Sequence, residues 1–311
     1  MPKKIKINYD KRELNSDRAS ADLENEIYYA NGNVMIKDSS LIVRADSAIY
    51  YNIKEITNLY NNASIIDTVE HNEFFGDFIK YYMQKDEFVN YIDPEFIKKD
   101  STGKELLRIN AEKISGNTKK KYFTAIENVK IFKDSLKAKC DSLFFSDSLE
   151  IASLNGEPEI SYKENIIFGK KIDITFHDSK TNEVIVNENA TMKSTKRGFL
   201  VNNKDTVIEN TSNLTGKKLI LKFKNKNNLD WLRMEEMASS DYHVYEDSVY
   251  QGINKASGDT VKMFFDGDSL TDIFVINGAE GTFYPHESIG DMDTSLVYNS
   301  DIIYYDQKNH K

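Results

Sequence analysis

The stretch RADSAIYYN, residues 44–52, returns about a hundred residues later as KCDSLFFSD, residues 139–147. Ala45-Asp46-Ser47-Ala48-Ile49-Tyr50 and Cys140-Asp141-Ser142-Leu143-Phe144-Phe145 are variants of one phrase. Self-similarity of this kind restricts a chain to stacked units that bury a shared core. Further copies start at Gly76-Asp77, Ala111-Glu112, Gly169-Lys170, Gly216-Lys217 and Gly258-Asp259, and a partial one at Ser300-Asp301. Early anchors are 29 to 35 residues apart and later ones 40 or more. Each copy has a second half, such as NNASII, ENVKIF, ENATM, EEMASS or NGAEGTF, and ANGNVMI at residues 30–36 is a second half on its own. The copies imply that the chain starts and stops inside a repeating structure, which suggests a fragment of something longer.

The units read as strands. Leu41, Val43, Ala45, Ser47, Ile49 and Tyr51 alternate with Arg44 and Asp46; Leu136, Ala138, Cys140, Ser142 and Phe144 alternate with Lys137, Lys139 and Asp141. Period-two alternation describes a sheet with one buried and one wet face, in a register that a one-residue slip would invert. Abundant Ile, Tyr, Phe, Asn, Asp and Lys fit pleated surfaces and turns. The segments at 179–183, 224–228 and 266–268 are expected to be turns, and LDWLRMEEMASS (229–240) is expected to be a strand despite a weak helical stripe. The expected fold class is all-β. The expected organisation is a lead-in over 1–26, repeats over 27–192, more divergent repeats over 193–285, and a truncated further repeat over 286–311.

Charge and motifs remove several functions. A net charge of −9 disfavours nucleic acid as a partner, because phosphate binding needs a basic footprint. No run of 18 apolar residues is present to span a membrane as a helix, and the basic N-terminus lacks the apolar segment of a signal peptide. The histidines, at 71, 177, 243, 286 and 310, have no metal-ligand spacing. The GKK triplets lack the remainder of a phosphate loop, and no nucleophile elbow occurs. DGDSLTD (266–272) is too short for a calcium loop of the helix–loop–helix kind. Cys140 takes the small inward slot that Ala45 takes in the first copy, and reads as core. No enzyme activity, cofactor or metal is expected.

The ordered series NGNVMI, VRADSAIYY, NNASII, FFGDFIKYY, RINAEKIS, IENVKIF and KAKCDSLFF closely resembles the OstA/LptA-like family of lipopolysaccharide-transport proteins. Gly32-Asn33-Val34, Ala45-Asp46-Ser47-Ala48 and Asn128-Val129 carry the likeness. It is best over residues 27–192 and looser to about 284. It implies an elongated open β jelly roll, or β-taco, built from two-strand repeats of roughly 30–45 residues. It also implies a periplasmic location, with outer-membrane association as an extension. The implied function is to bind acyl chains of lipopolysaccharide or a related lipid in an apolar groove and to bridge the periplasm. Strand edges would then pair with other Lpt-type proteins or with a second copy. The same domain also forms the N-terminal periplasmic part of a larger outer-membrane translocon. A structural β-solenoid spacer or adhesin segment without a lipid ligand is the alternative from another class.

Candidate groove residues are Val34, Ile36, Leu41, Val43, Ile49, Ile131, Leu136, Phe144, Ile172, Ile174 and Phe176. An open groove and a closed sandwich share this alternation. Lys37, Arg44, Lys137 and Lys139 are expected on the outer face.

Overall fold

The computed structural model describes residues 5–9, 12–133, 136–177, 180–200, 203–224, 228–267, 269–286 and 295–306. Among them it is all-β, with 23 strands. Contacts divide the chain into two units, Met1–Leu149 and Glu150–Lys311.

The first unit holds β1 (Ile5–Tyr9), β2 (Arg12–Ser16), β3 (Arg18–Asp22), β4 (Ile27–Lys37), β5 (Leu41–Tyr51), β6 (Ile56–Asp67), β7 (Asn72–Tyr82), β8 (Glu87–Ile92), β9 (Glu95–Lys99), β10 (Glu105–Asn110), β11 (Lys113–Asn117), β12 (Tyr122–Lys133) and β13 (Leu136–Ser146). The second holds β14 (Ile151–Asn155), β15 (Glu159–Tyr162), β16 (Asn165–Phe168), β17 (Lys171–His177), β18 (Lys180–Leu200), β19 (Asn203–Lys224), β20 (Asn228–Glu246), β21 (Val249–Asp266), β22 (Ser269–Pro285) and β23 (Leu296–Asp306). Successive long strands pair antiparallel, and short strands share a long partner, β2 and β3 on β4, β8 and β9 on β7, β10 and β11 on β12, and β16 and β17 on β18.

The repeated phrase marks a corner. Between the pairs Asn31–Ser47 and Val34–Ala45, β4 has Gly32 and Asn33 where β5 has only Asp46. The same two-against-one step sets Asn61-Asn62 against Asp77, Glu127-Asn128 against Asp141, and Glu188-Asn189 against Lys217. It recurs with Glu236-Met237 against Asp259 and Asn277-Gly278 against Asp301. Both residues of each extra pair have φ between 47° and 78°, a left-handed region that Asn and Gly enter most readily. These are β-bulges, which bend the strand and raise its twist. Each long strand is therefore two arms meeting at a bulge, and within each unit the arms belong to two facing layers.

The corner also explains the small residues. Ala63, Val129, Ala190, Ala238 and Ala279 follow the bulges and are buried; Ala45 and Cys140 stand opposite them and are buried too. A Cβ on Gly76 would lie 2.2 Å from Asn90 Oδ1, and one on Gly216 would lie 2.6 Å from Met234 Cγ. On the solvent side, short polar groups tie neighbouring corners together. Asn62 Nδ2 donates to Asp46 at 2.9 Å, Asn33 to Asp17 at 2.7 Å and Asn128 to Glu112 at 3.0 Å. In the second unit Lys170–Glu188 at 2.9 Å and Lys217–Glu236 at 2.6 Å take over.

The corner corrects the uninterrupted alternation read from sequence. In β5 the buried positions are Val43 and Ala45, then Ala48; in β13 they are Ala138 and Cys140, then Leu143 and Phe145. The inward phase shifts by one residue at each corner. Ser47, Ile49 and Tyr51 thus leave the face shared by Leu41 and Val43, and Phe144 leaves the face of Leu136.

Residues 229–240 lie within β20, as a strand. Residues 180–183 are already strand in β18, not turn, because Lys180, Thr181 and Glu183 pair with His177, Phe176 and Thr175 on β17. Ser179, residues 225–227, Asp268 and His310 lie outside the described residues. Pro94 and Pro158 sit between strands and Pro285 ends β22, where a missing N–H costs least.

Candidate functional site

The interior of the first unit is the candidate site. Its inner lining comes from both arms. Phe74 and Phe96 stand on β7 and β9; Phe88, Phe123 and Phe145 face them from β8, β12 and β13. Ring centroids are 4.4 Å apart for Phe74–Phe88, 4.5 Å for Phe96–Phe123 and 5.2 Å for Phe123–Phe145. Such tilted pairs add about 0.5–1.5 kcal/mol each beyond their burial. Asn90, fully buried on β8, donates to the Phe75 carbonyl at 2.6 Å, and its Oδ1 has no hydrogen-bond partner among the described residues.

Opposite the corners, the strand ends of the two arms meet in a polar clasp. Asp147, just past β13, accepts from Asn72 Nδ2 at 2.7 Å and from Lys98 Nζ at 2.5 Å. Lys98 and Asp147 are each only 15 % exposed. Lys121, between β11 and β12, pairs with Glu70, between β6 and β7. That hydrogen bond raises the Lys121 ammonium above its ordinary value. Burial does the same to the Tyr81 phenol.

Two clefts open on the first unit, one of them at the clasp and both lined in part by Leu41, each with a cavity volume of about 20 Å³, room for about one water. One is lined by Arg12, Ile36, Asp38, Leu41, Val43, Thr57, Tyr81 and Met83. The other has an apolar floor of Ile65, Phe74, Phe123 and Phe145 under Asn72, Lys121 and Asp147.

The structure brings Ile36, Leu41 and Val43 together at one cleft. Val34 and Ile131 are buried on the same inner layer, and Leu136 follows their face on β13. Ile172 is fully buried in the second unit with Ile174 on its face, and Phe176 lies just beyond a register shift. Ile49 and Phe144 are corrected to the opposite face. Ile49 pairs with Asn58 while buried Ala48 and Leu59 form the adjacent pair. Phe144 pairs with Thr124 while Phe145 pairs with buried Phe123. Lys37, Arg44, Lys137 and Lys139 are exposed.

Sequence reasoning missed Phe145, Tyr81, Asn72, Lys98 and Asp147. The polar ones meet across up to 75 residues of chain, a distance no local pattern encodes. Among the described residues no group of three or more His, Cys, Asp or Glu could hold a metal ion.

No protein-family model matches the chain, and no curated protein matches it. Among solved structures it is similar to LptH of Pseudomonas aeruginosa, the LptA-homologous periplasmic component of a lipopolysaccharide transport device. The alignment has 14 % identity and a TM-score of 0.29, and covers 37 % of this chain and 75 % of that one. A likeness at that score carries no argument about what this chain does.

Proposed function

We propose that the protein shelters acyl chains of lipopolysaccharide or a related lipid between the arms of its folded sheet, and bridges the periplasm by pairing at its strand edges. The observation that carries this reading is an apolar interior closed on one side by backbone corners and on the other only by side-chain contacts. Such an interior opens along one line without unpairing any strand. Each CH₂ withdrawn from water contributes about 0.8 kcal/mol, so a chain of a dozen carbons repays the separation of a few polar contacts. The edge strand β23 carries Leu296, Val297, Ile302 and Tyr304 exposed, a template for another strand. A periplasmic place and Lpt-type partners follow from the sequence resemblance.

The test is photo-crosslinking in the presence of lipopolysaccharide, with the probe at Val43 or at Arg44. These neighbours face opposite sides of β5, Val43 buried and Arg44 exposed. Crosslinks from position 43 alone are expected. Crosslinks from neither position, with the protein folded, would overturn the proposal. A second reading, a spacer with a dry core, is favoured by the water-sized clefts and the five packed phenylalanines, and that negative outcome would leave it standing.

A further inference from the structure

The second unit has an aromatic and cationic platform on the sheet face that points away from its core. Three cross-strand rows build it over five adjacent strands. Arg233, Lys262, Phe274 and Tyr304 form the middle row, from β20 to β23, beside buried Ile220 on β19. Lys222, Trp231, Phe264, Asp272 and Asp306 form one flanking row; Lys218, Glu235, Thr260, Ile276 and Ile302 form the other. The intervening residues Leu232, Met234, Val261 and Val275 are buried on the core side. At about 4.8 Å per strand the platform is roughly 20 Å wide.

The rings are arranged as a continuous surface. Phe274 stacks on Tyr304 with centroids 4.7 Å apart, and Phe264 meets Phe274 edge-on at 5.9 Å. Lys262 Nζ lies 4.5 Å from the Phe264 centroid and 5.2 Å from that of Trp231, and the Arg233 guanidinium lies 5.9 Å from the Trp231 centroid. The cations around Trp231 differ in their partners: Lys222, across from it, faces Glu183 at 3.8 Å. Arg233 and Lys218 share one carboxylate, Glu235, at 2.7 and 3.9 Å. Lys262 has no carboxylate partner among the described residues.

We infer that this platform binds an acidic oligosaccharide, its sugar rings on Trp231, Phe264 and Phe274 and a carboxylate on the Lys262 ammonium. Flat rings offer the apolar faces of sugars a stacking surface, and a half-exposed ammonium that rests on ring faces and has no carboxylate partner among the described residues offers its donors to an anion. Single-stranded nucleic acid also stacks on aromatic sheets, but with a charge at every nucleotide it requires a cationic track. Here Glu235, Asp272 and Asp306 interrupt any such track, whereas an acidic sugar with sparse charge meets the cationic centre and avoids the acidic rim. The site is on the opposite face from the core and does not depend on the lipid reading.

Trp231 is the single tryptophan of the chain, so its fluorescence reports on this surface alone. The full chain is titrated with an alginate tetrasaccharide, a neutral maltotetraose, an oligothymidine and phosphatidylglycerol vesicles. A saturable spectral change with alginate, about tenfold weaker in Lys262→Gln, as expected for one lost charge-assisted hydrogen bond, supports the proposal. Lys262 is on the solvent face, and an unchanged melting temperature in Lys262→Gln confirms that its fold is intact. No saturable response to alginate, an equal response to maltotetraose, or a tighter response to oligothymidine or vesicles would overturn it.

Discussion

At the scale of single residues, the corners are where backbone and side chain constrain each other most. Gly76 is an example. It stands opposite Ala63 at a corner, and buried Asn90 lies so close that a methyl group must displace it. Gly76→Ala is expected to lower stability by about 1–3 kcal/mol, as overpacked interiors do. In an Asn90→Ala background the loss should shrink, because the obstructing side chain is gone; equal losses in both backgrounds in a double-mutant cycle of thermal melts would refute this account. The sequence carried a partial signal here. Asn and Gly before a small residue, as in Gly32-Asn33-Val34 and Asn61-Asn62-Ala63, announce left-handed backbone. Glu236-Met237 hides the same geometry behind residues that do not favour it, and the alternation by itself does not show the phase shift that moves Ile49 and Phe144 outward.

At the scale of elements, strand character was easy to read and arm-to-arm contact was not. Local alternation decides whether Leu41–Tyr51 is a strand, whatever its neighbours. The clasp requires β6, β7, β9, β11 and β13 to present their ends together, and its members show no spacing that links them. Its energetics are testable. Asp147→Ala leaves the largely buried Lys98 ammonium and Asn72 amide without their acceptor. The expected cost is about 1–3 kcal/mol in a denaturant titration. If the clasp is the line along which the interior opens, the same variant should take up an apolar fluorescent probe faster than the parent protein. Destabilisation with unchanged uptake would make the clasp a purely structural contact.

At the scale of the whole molecule, the 18 tyrosines make alkaline pH the sensitive side. Burial raises the phenols of Tyr81, Tyr250, Tyr298 and Tyr305. The Asp272 carboxylate pushes exposed Tyr304 up to about 12. A group whose proton is held more tightly when folded contributes fully below its unfolded value, near 10, and loses that contribution as pH rises toward the folded value. Melting temperature should therefore fall steadily above about pH 10, and Tyr81→Phe should flatten the fall. A flat profile through that range would contradict the buried placement of these phenols.

The two-against-one step at each corner has a consequence for how such a chain can change in length. Each hairpin brings its own bulge, its own small elbow residue and its own polar tie to the next corner. Duplicating one hairpin therefore inserts a self-sufficient module, with no inward residue misdirected, and lengthens its unit by two strand spacings, about 10 Å. Removing one residue of a left-handed pair, by contrast, would turn half a strand inside out. Genes of this kind should vary in whole hairpins and resist single-codon losses at the corners, so reach becomes a quantity that evolution adjusts in fixed increments.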